Sequence, residues 1–232
     1  MTLIKLLFLV PSVLLFNNAY IPPTIPRDEV IRGGPLYERI CPAVFPVLHR
    51  LLGSIPCVAE IAAILAAYFP PPISSIVLSN LVRSGQLPDM MLNRYFVLGT
   101  TLVIIGGLGR IWCFRVMGRH FTFWLSICKD HTLVTMGPYD VVRHPSYAAS
   151  CIILCGMSLI YASPGSFVLS SGWLSTYFGR VMFTLWVLQL ILSAMVCWKR
   201  CIKEDSMLRE HFRDEWERWS KRVRYRLIPG VF

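Results

Sequence analysis

Several long runs without a charged residue dominate this chain. In water such runs would leave large apolar faces exposed, so they restrict the fold to one that dissolves in lipid. The composition agrees: 55% of the 232 residues are apolar and only 16% are charged, with a mean hydropathy of +0.55. Inside a bilayer every backbone amide and carbonyl needs a partner, which leaves helices or a closed β-barrel. The runs are continuous and lack the two-residue alternation of barrel strands, so the expected class is all-α, a polytopic integral membrane protein.

About five spans are expected. The first, 1–19, is a poor one, broken by Pro11 and ending in Asn17-Asn18. Lys5 before an apolar run resembles a secretion signal, but no small-x-small cleavage site follows, which favours a span. Residues 20–50 read as a loop with an interfacial piece. The second span is Leu51 to Phe69, with Glu60 at its middle. An acid at that depth must face the bundle or a cavity, either as a ligand contact or as a satisfied interhelical bond. Pro70-Pro71-Pro72 ends it, and Ile73–Val82 is too short to cross. The third span is Tyr95 to Leu108, where Gly106, Gly107 and Gly109 permit close packing. Arg110–Cys128 alternates arginines with aromatics and reads as a headgroup-level segment, helical in part. The fourth span runs from Pro145 or Ser146 to about Ala162 and the fifth from about Val181 to Trp198, with Gln189 its one strongly polar member.

The formal net charge of +10 is concentrated in 110–144 and 199–226, whereas 163–179 has no Lys or Arg. By the positive-inside tendency the two basic stretches face the cytosol and 163–179 the lumen, so five spans put the N-terminus in the lumen. Nucleic acid is not an expected partner, because no basic face belongs to a soluble domain. The eight cysteines lack metal-type spacing; Cys151/Cys155 and Cys197/Cys201 are one helical turn apart and read as packing residues. No metal site is expected. The simplest division is one structural domain, with membrane spans in 1–109 and a catalytic membrane and cytosolic-face region in 110–232.

Two polar blocks stand apart from the spans. The first is His131-Thr-Leu-Val-Thr-Met-Gly-Pro-Tyr139-Asp-Val-Val-Arg143-His144-Pro145-Ser-Tyr147. Gly137-Pro138 calls for a turn, His144 is biased to extended backbone by the proline after it, and Pro145 suits the first turn of a helix. Arg143, His144 and Tyr147 then cluster at a helix N-terminus, which serves equally as an interfacial anchor or as a ligand site with free amides. In the second block, Arg200 and Glu204 are one turn apart, and Leu208, Phe212, Trp216 and Trp219 fall on one stripe of a helix. Taken alone, that block reads as a solvated amphipathic helix with an i,i+4 ion pair.

Together the blocks resemble the isoprenylcysteine carboxyl methyltransferase family. The first matches its His-x-Leu-Val-x-x-Gly-Pro-Tyr-x-x-x-Arg-His-Pro-x-Tyr signature. The second matches Arg-x-x-x-Glu-Glu-x-x-Leu-x-x-x-Phe and closes with Arg222-Val223 and Leu227-Ile228-Pro229. The resemblance covers about 110–229. Departures are Ala149 for Gly, Asp205 for the second Glu, Arg213 for Gly, Trp216 and Trp219 for tyrosines, Arg224 for Pro, and Trp124 where relatives often carry a polar side chain.

What the resemblance implies is a multi-pass enzyme of the endoplasmic reticulum membrane with its active site facing the cytosol. It would transfer the methyl of S-adenosylmethionine to the C-terminal carboxylate of prenylated CaaX-type proteins. By motif, the cofactor contacts would be His131, Thr132, Leu133, Val134, Tyr139, His144, Pro145, Ser146, Tyr147 and Glu204. Arg200 would hold the substrate carboxylate, and Arg200 and Glu204 would be the catalytic pair. Methylation of a phospholipid amine or a terpenoid carboxylic acid is the alternative, and a non-catalytic membrane scaffold a more remote one. A carboxylate with a pKa of about 3.5 is ionised at neutral pH and needs no general base. An arginine at the acceptor position suits it and repels an ammonium.

Overall fold

The computed structural model describes residues 2–23, 36–86, 88–125 and 131–232. Its helices are α1 (Thr2–Ala19), α2 (Leu36–Ala66), α3 (Pro71–Leu81), α4 (Arg94–Met117), α5 (Pro145–Ala162), α6 (Phe167–Ser170), α7 (Tyr177–Phe212) and α8 (Asp214–Arg222). Among the described residues there is no strand. Four stretches among the described residues are long and apolar enough to cross a membrane: Ile40–Ala66, Arg94–His120, Pro145–Ser170 and Tyr177–Phe212. A shorter apolar helix runs over Leu3–Ala19. The protein is a polytopic helical membrane protein.

The α4–α5 pair is the spine. Glycines let the two backbones touch: a Cβ added to Gly156 would lie 2.6 Å from the Gly99 carbonyl, and one on Gly106 would lie 2.9 Å from the Ala149 carbonyl. Gly107 serves α1 instead, 3.0 Å from Leu15 Cβ, while Gly109 has only an ordinary 3.9 Å contact. Around this spine a core of Leu9, Phe16, Phe96, Val103, Ile153, Met157, Ile160 and Trp186 draws on α1, α4, α5 and α7.

At the end of the bundle holding 163–176, Lys5 and Glu60 form a fully buried ion pair. Lys5 Nζ also donates to the Gly165 carbonyl at 2.9 Å, and Glu60 accepts from the Phe167 amide at 2.9 Å. Glu60 is thus the satisfied interhelical acid. Each charge has the partner that makes its burial tolerable.

Three span boundaries differ from the sequence reading. The second span is not Leu51–Phe69: helix begins at Leu36 and passes through Pro42, Pro46 and Pro56. Proline in a membrane helix is tolerated because neighbouring elements satisfy the freed carbonyls, so 36–50 is helix rather than loop. The third span does not end at Leu108. It continues through Arg110, whose Nε and Nη1 donate to the Ala19 and Ser146 carbonyls inside the bundle, and stops at Gly118 with φ 55°. Only Gly118–His120 and the chain beyond it leave the helix; Cys128 lies outside the described residues.

The fifth span and the second polar block are one helix, α7, of 36 residues. At 1.5 Å per residue it is about 54 Å long, far more than the ~30 Å apolar core of a bilayer. Its last turns therefore carry Arg200 to Phe212 outside that core. The stripe Leu208–Trp219 does not belong to one helix, since Arg213, at φ 44°, breaks it between α7 and α8. The turn folds α8 back, so Leu208, Phe212, Trp216 and Trp219 still share one cluster, with Cys113 and Tyr139.

Candidate active site

The two polar blocks meet around a cavity of about 170 Å³. His131, Leu133, Val134, Tyr139, His144, Ser146 and Tyr147 from the first block line it, as do Arg200 and Glu204 from the second. Thr132 and Pro145 do not: Thr132 is exposed, and Pro145 is buried as the first residue of α5.

Direct bonds join the blocks. The Tyr147 hydroxyl donates to Glu204 Oε2 at 3.0 Å, and His144 Nδ1 is 3.7 Å from the same oxygen. On its other side, His144 Nε2 is 3.0 Å from Asp205 Oδ1. An ionised carboxylate only accepts, so Nε2 carries the proton and Nδ1 faces Glu204. Asp205 Oδ2 takes Arg143 Nη1 at 2.9 Å and Arg226 Nε at 2.7 Å. This carboxyl, only 5% exposed as a residue, therefore ties α7, the Arg-His-Pro turn and the C-terminal segment together.

That segment also closes the helix start. The amides of Arg143 and His144 donate to the Tyr225 and Arg226 carbonyls at 2.9 and 2.8 Å. These two amides are thus not the free anion-binding donors expected there. Backbone at His144 (φ −124°, ψ 61°) is less extended than the following proline alone would favour.

Gly137–Asp140 forms the expected turn, with Gly137 at φ 62°. It holds Tyr139 under α8, where Trp219 Nε1 donates to the Tyr139 carbonyl at 3.2 Å. Burial raises the Tyr139 phenol well above its ordinary pKa, so it stays a neutral donor. His131 packs 4.7 Å from the His120 ring and 5.7 Å from Phe212. Burial, reinforced by repulsion from His120 and His211, lowers its pKa to about 4. It is neutral at pH 7, and its buried Nδ1 has no hydrogen-bond partner among the described residues.

Arg200 Nη2 donates to the Phe123 carbonyl at 2.6 Å, and its guanidinium lies 5.9 Å from the Tyr147 ring. Trp124 borders the same wall and packs with Phe114, Phe121 and Phe123. Tyr20, Pro42, Phe45, Pro46, His49 and Val196 also line the cavity. His49 stacks on Tyr20 at 4.6 Å and lies within hydrogen-bonding distance of Gln189 and Ser193, at 2.9 and 3.1 Å.

Sequence reasoning missed Arg110, Asp205, Arg226 and His49. Asp205 stood in a charge run that resembles a solvated face, and only the fold shows it surrounded by cations. Arg110 at a span end resembles a headgroup anchor, and no local signal marks it as buried.

Residues 95–184 match the family described as phospholipid methyltransferase. The chain is 31% identical over 155 residues, 65% of its length and 71% of the relative's, to a probable protein-S-isoprenylcysteine O-methyltransferase of Oryza sativa subsp. indica. It is 33% identical over 105 residues to the protein-S-isoprenylcysteine O-methyltransferase of Saccharomyces cerevisiae, covering 41% of this chain and 44% of that one. Over 91 residues it is also 33% identical to the cobalt-zinc-cadmium resistance protein CzcN of Cupriavidus metallidurans, covering 39% and 37%. A match over most of the rice protein, added to two motif blocks closing on one cavity, places the chain: it belongs to the protein-S-isoprenylcysteine O-methyltransferase family and is a membrane methyltransferase.

Proposed function

We propose that the protein methylates the C-terminal carboxylate of prenylated cysteine, using S-adenosylmethionine, at the cytosolic face of the endoplasmic reticulum membrane. The observation that carries this reading is the cavity itself, with an arginine and an acid from α7 on one side and the Arg-His-Pro block on the other.

The residues present fit the donor. Glu204 offers a carboxylate to an ammonium or ribose hydroxyl, the orphaned Nδ1 of neutral His131 offers one further polar contact, and Leu133 and Val134 give an apolar wall. His131, Leu133, Val134, Tyr139, His144, Ser146, Tyr147 and Glu204 would hold it. Bound S-adenosylmethionine supplies an electrophilic methyl on a sulfonium. The chain's own work is positioning. Arg200 presents a fork that fits a carboxylate and holds it without taking its charge. The aromatic wall of Phe121, Phe123 and Trp124 excludes water, which strengthens that attraction. The product is a neutral methyl ester, which the guanidinium holds less tightly than the acid.

The apolar lining of Pro42, Phe45, Pro46 and Val196 suits the hydrocarbon tail of a prenylated substrate. The clustering of Lys and Arg on this side of the spans supports a cytosolic orientation. The phospholipid-methyltransferase match keeps a lipid amine as the second reading, but an ammonium would meet arginines in this cavity. Product chemistry tests the choice: mild base releases a methyl ester and leaves a methylamine intact.

A further inference from the structure

Arg110 lies inside α4, 6% exposed, in a stretch long and apolar enough to cross a membrane. Its Nε donates to the Ala19 carbonyl at 2.7 Å, and its Nη1 to the Ser146 carbonyl at 2.8 Å and the Ser146 hydroxyl at 3.0 Å. Nη1 also reaches the Ser150 hydroxyl. The rings of Tyr20, Phe114 and Phe123 lie 5.3, 5.4 and 5.2 Å from the guanidinium carbon. Every one of these partners is neutral, and Arg110 forms no ion pair among the described residues.

Carbonyls and ring faces lower the cost of a buried cation without neutralising it. Elsewhere in the same bundle the chain neutralises its buried cation outright, pairing Lys5 with Glu60. Arg110 differs in one respect that matters: it borders the cavity. Its Nη2 donates to no described residue, so one edge of the fork is uncommitted. It also shares a wall with Arg200. Phe123 gives its ring to Arg110 and its carbonyl to Arg200, while Ser146 bonds Arg110 and the adjacent Tyr147 faces Arg200.

We propose that Arg110 is a second cation for a ligand carboxylate in this cavity, acting beside the α7 arginine with which it shares a wall. The inference rests on the methyl-transfer reading, in which both ligands carry a carboxylate, one on the prenylcysteine and one on the amino-acid end of the donor.

The test compares acids with their uncharged counterparts in full-length protein in nanodiscs. Dissociation constants are measured for N-acetyl-farnesylcysteine and its carboxamide, and for S-adenosylhomocysteine and its decarboxylated form. Wild-type protein should prefer each acid by about tenfold or more, the scale of a charge-assisted contact. In Arg110→Gln the preference should collapse towards unity in one pair and persist in the other, which names the ligand that Arg110 reads. Arg110→Lys keeps the charge without the fork and should show a reduced preference; it carries the test should the glutamine variant not fold. Acid preference unchanged in both pairs, in whichever variants fold, overturns the proposal. If wild-type protein still esterifies prenylcysteine in that case, the methyl-transfer reading stands and only the role of Arg110 falls.

Discussion

The Tyr147 hydroxyl donates to Glu204, 57 residues further along the chain, at 3.0 Å, linking the two motif blocks. Everything between them, α5, its hairpin and most of α7, serves to bring that pair together. The bond places a carboxylate at the start of α5 and leaves Arg200, one turn earlier on α7, facing the same space.

Separate roles for the two α7 residues give opposite signatures. Arg200→Ala should lose turnover by about 100-fold or more, while S-adenosylhomocysteine binding changes by no more than about threefold. Glu204→Ala should weaken that binding by roughly tenfold, since it removes a charged acceptor. Parallel calorimetric and kinetic titrations in nanodiscs check both, and the reverse pattern would exchange the assignments.

Asp205 pairs with Arg143, His144 and Arg226 at the same time. Asp205→Asn should cost about 3 kcal/mol, the scale of a buried pair broken on one side. Its thermal midpoint in detergent should fall by several degrees. Asp205→Glu keeps the charge and should lose far less. An asparagine variant as stable as wild type would show that the three bonds add nothing net.

His131, lowered from 6.5 to about 4 by burial, gives a signed pH effect. Between those two values the folded protein binds fewer protons at this position than the unfolded chain. Stability is therefore unaffected above about pH 6.5 and declines as pH falls towards 4. An NMR titration of histidine-labelled protein should place the His131 midpoint below pH 5. A midpoint near 6.5 would mean that the ring is solvated.

The glycine spine predicts a contrast inside α4 and α5. Gly156→Ala would put a methyl 2.6 Å from the Gly99 carbonyl, whereas Gly109→Ala meets nothing closer than 3.9 Å. The first should destabilise by about 1–3 kcal/mol, the scale of overpacking. The second should be neutral or slightly stabilising. Equal effects in unfolding titrations would remove close backbone approach as the reason for Gly156.

Hydropathy made the helices legible, because a bilayer permits so few alternatives. The start of α5 at Pro145 followed from proline chemistry. Two of the three misplaced boundaries share one cause. Pro42, Pro46 and Arg110 are breakers or anchors in water, and only tertiary partners make them helix interior. The site divides in the same way. Resemblance to the family pointed to Arg200, Glu204 and Tyr147, which the fold brings to one cavity. Asp205, Arg226 and Arg110 gain their roles from bonds across 21 to 91 residues, which no local pattern encodes.

The central claim is that this cavity esterifies a prenylcysteine carboxylate, and acceptor choice tests it most directly. Purified protein in nanodiscs is given labelled S-adenosylmethionine with N-acetyl-farnesylcysteine, phosphatidylethanolamine and a terpenoid acid in separate reactions. Label released by mild base from the farnesylcysteine product, at a rate well above the other two, is the predicted result. Base-stable label on phosphatidylethanolamine, with none on farnesylcysteine, would contradict it.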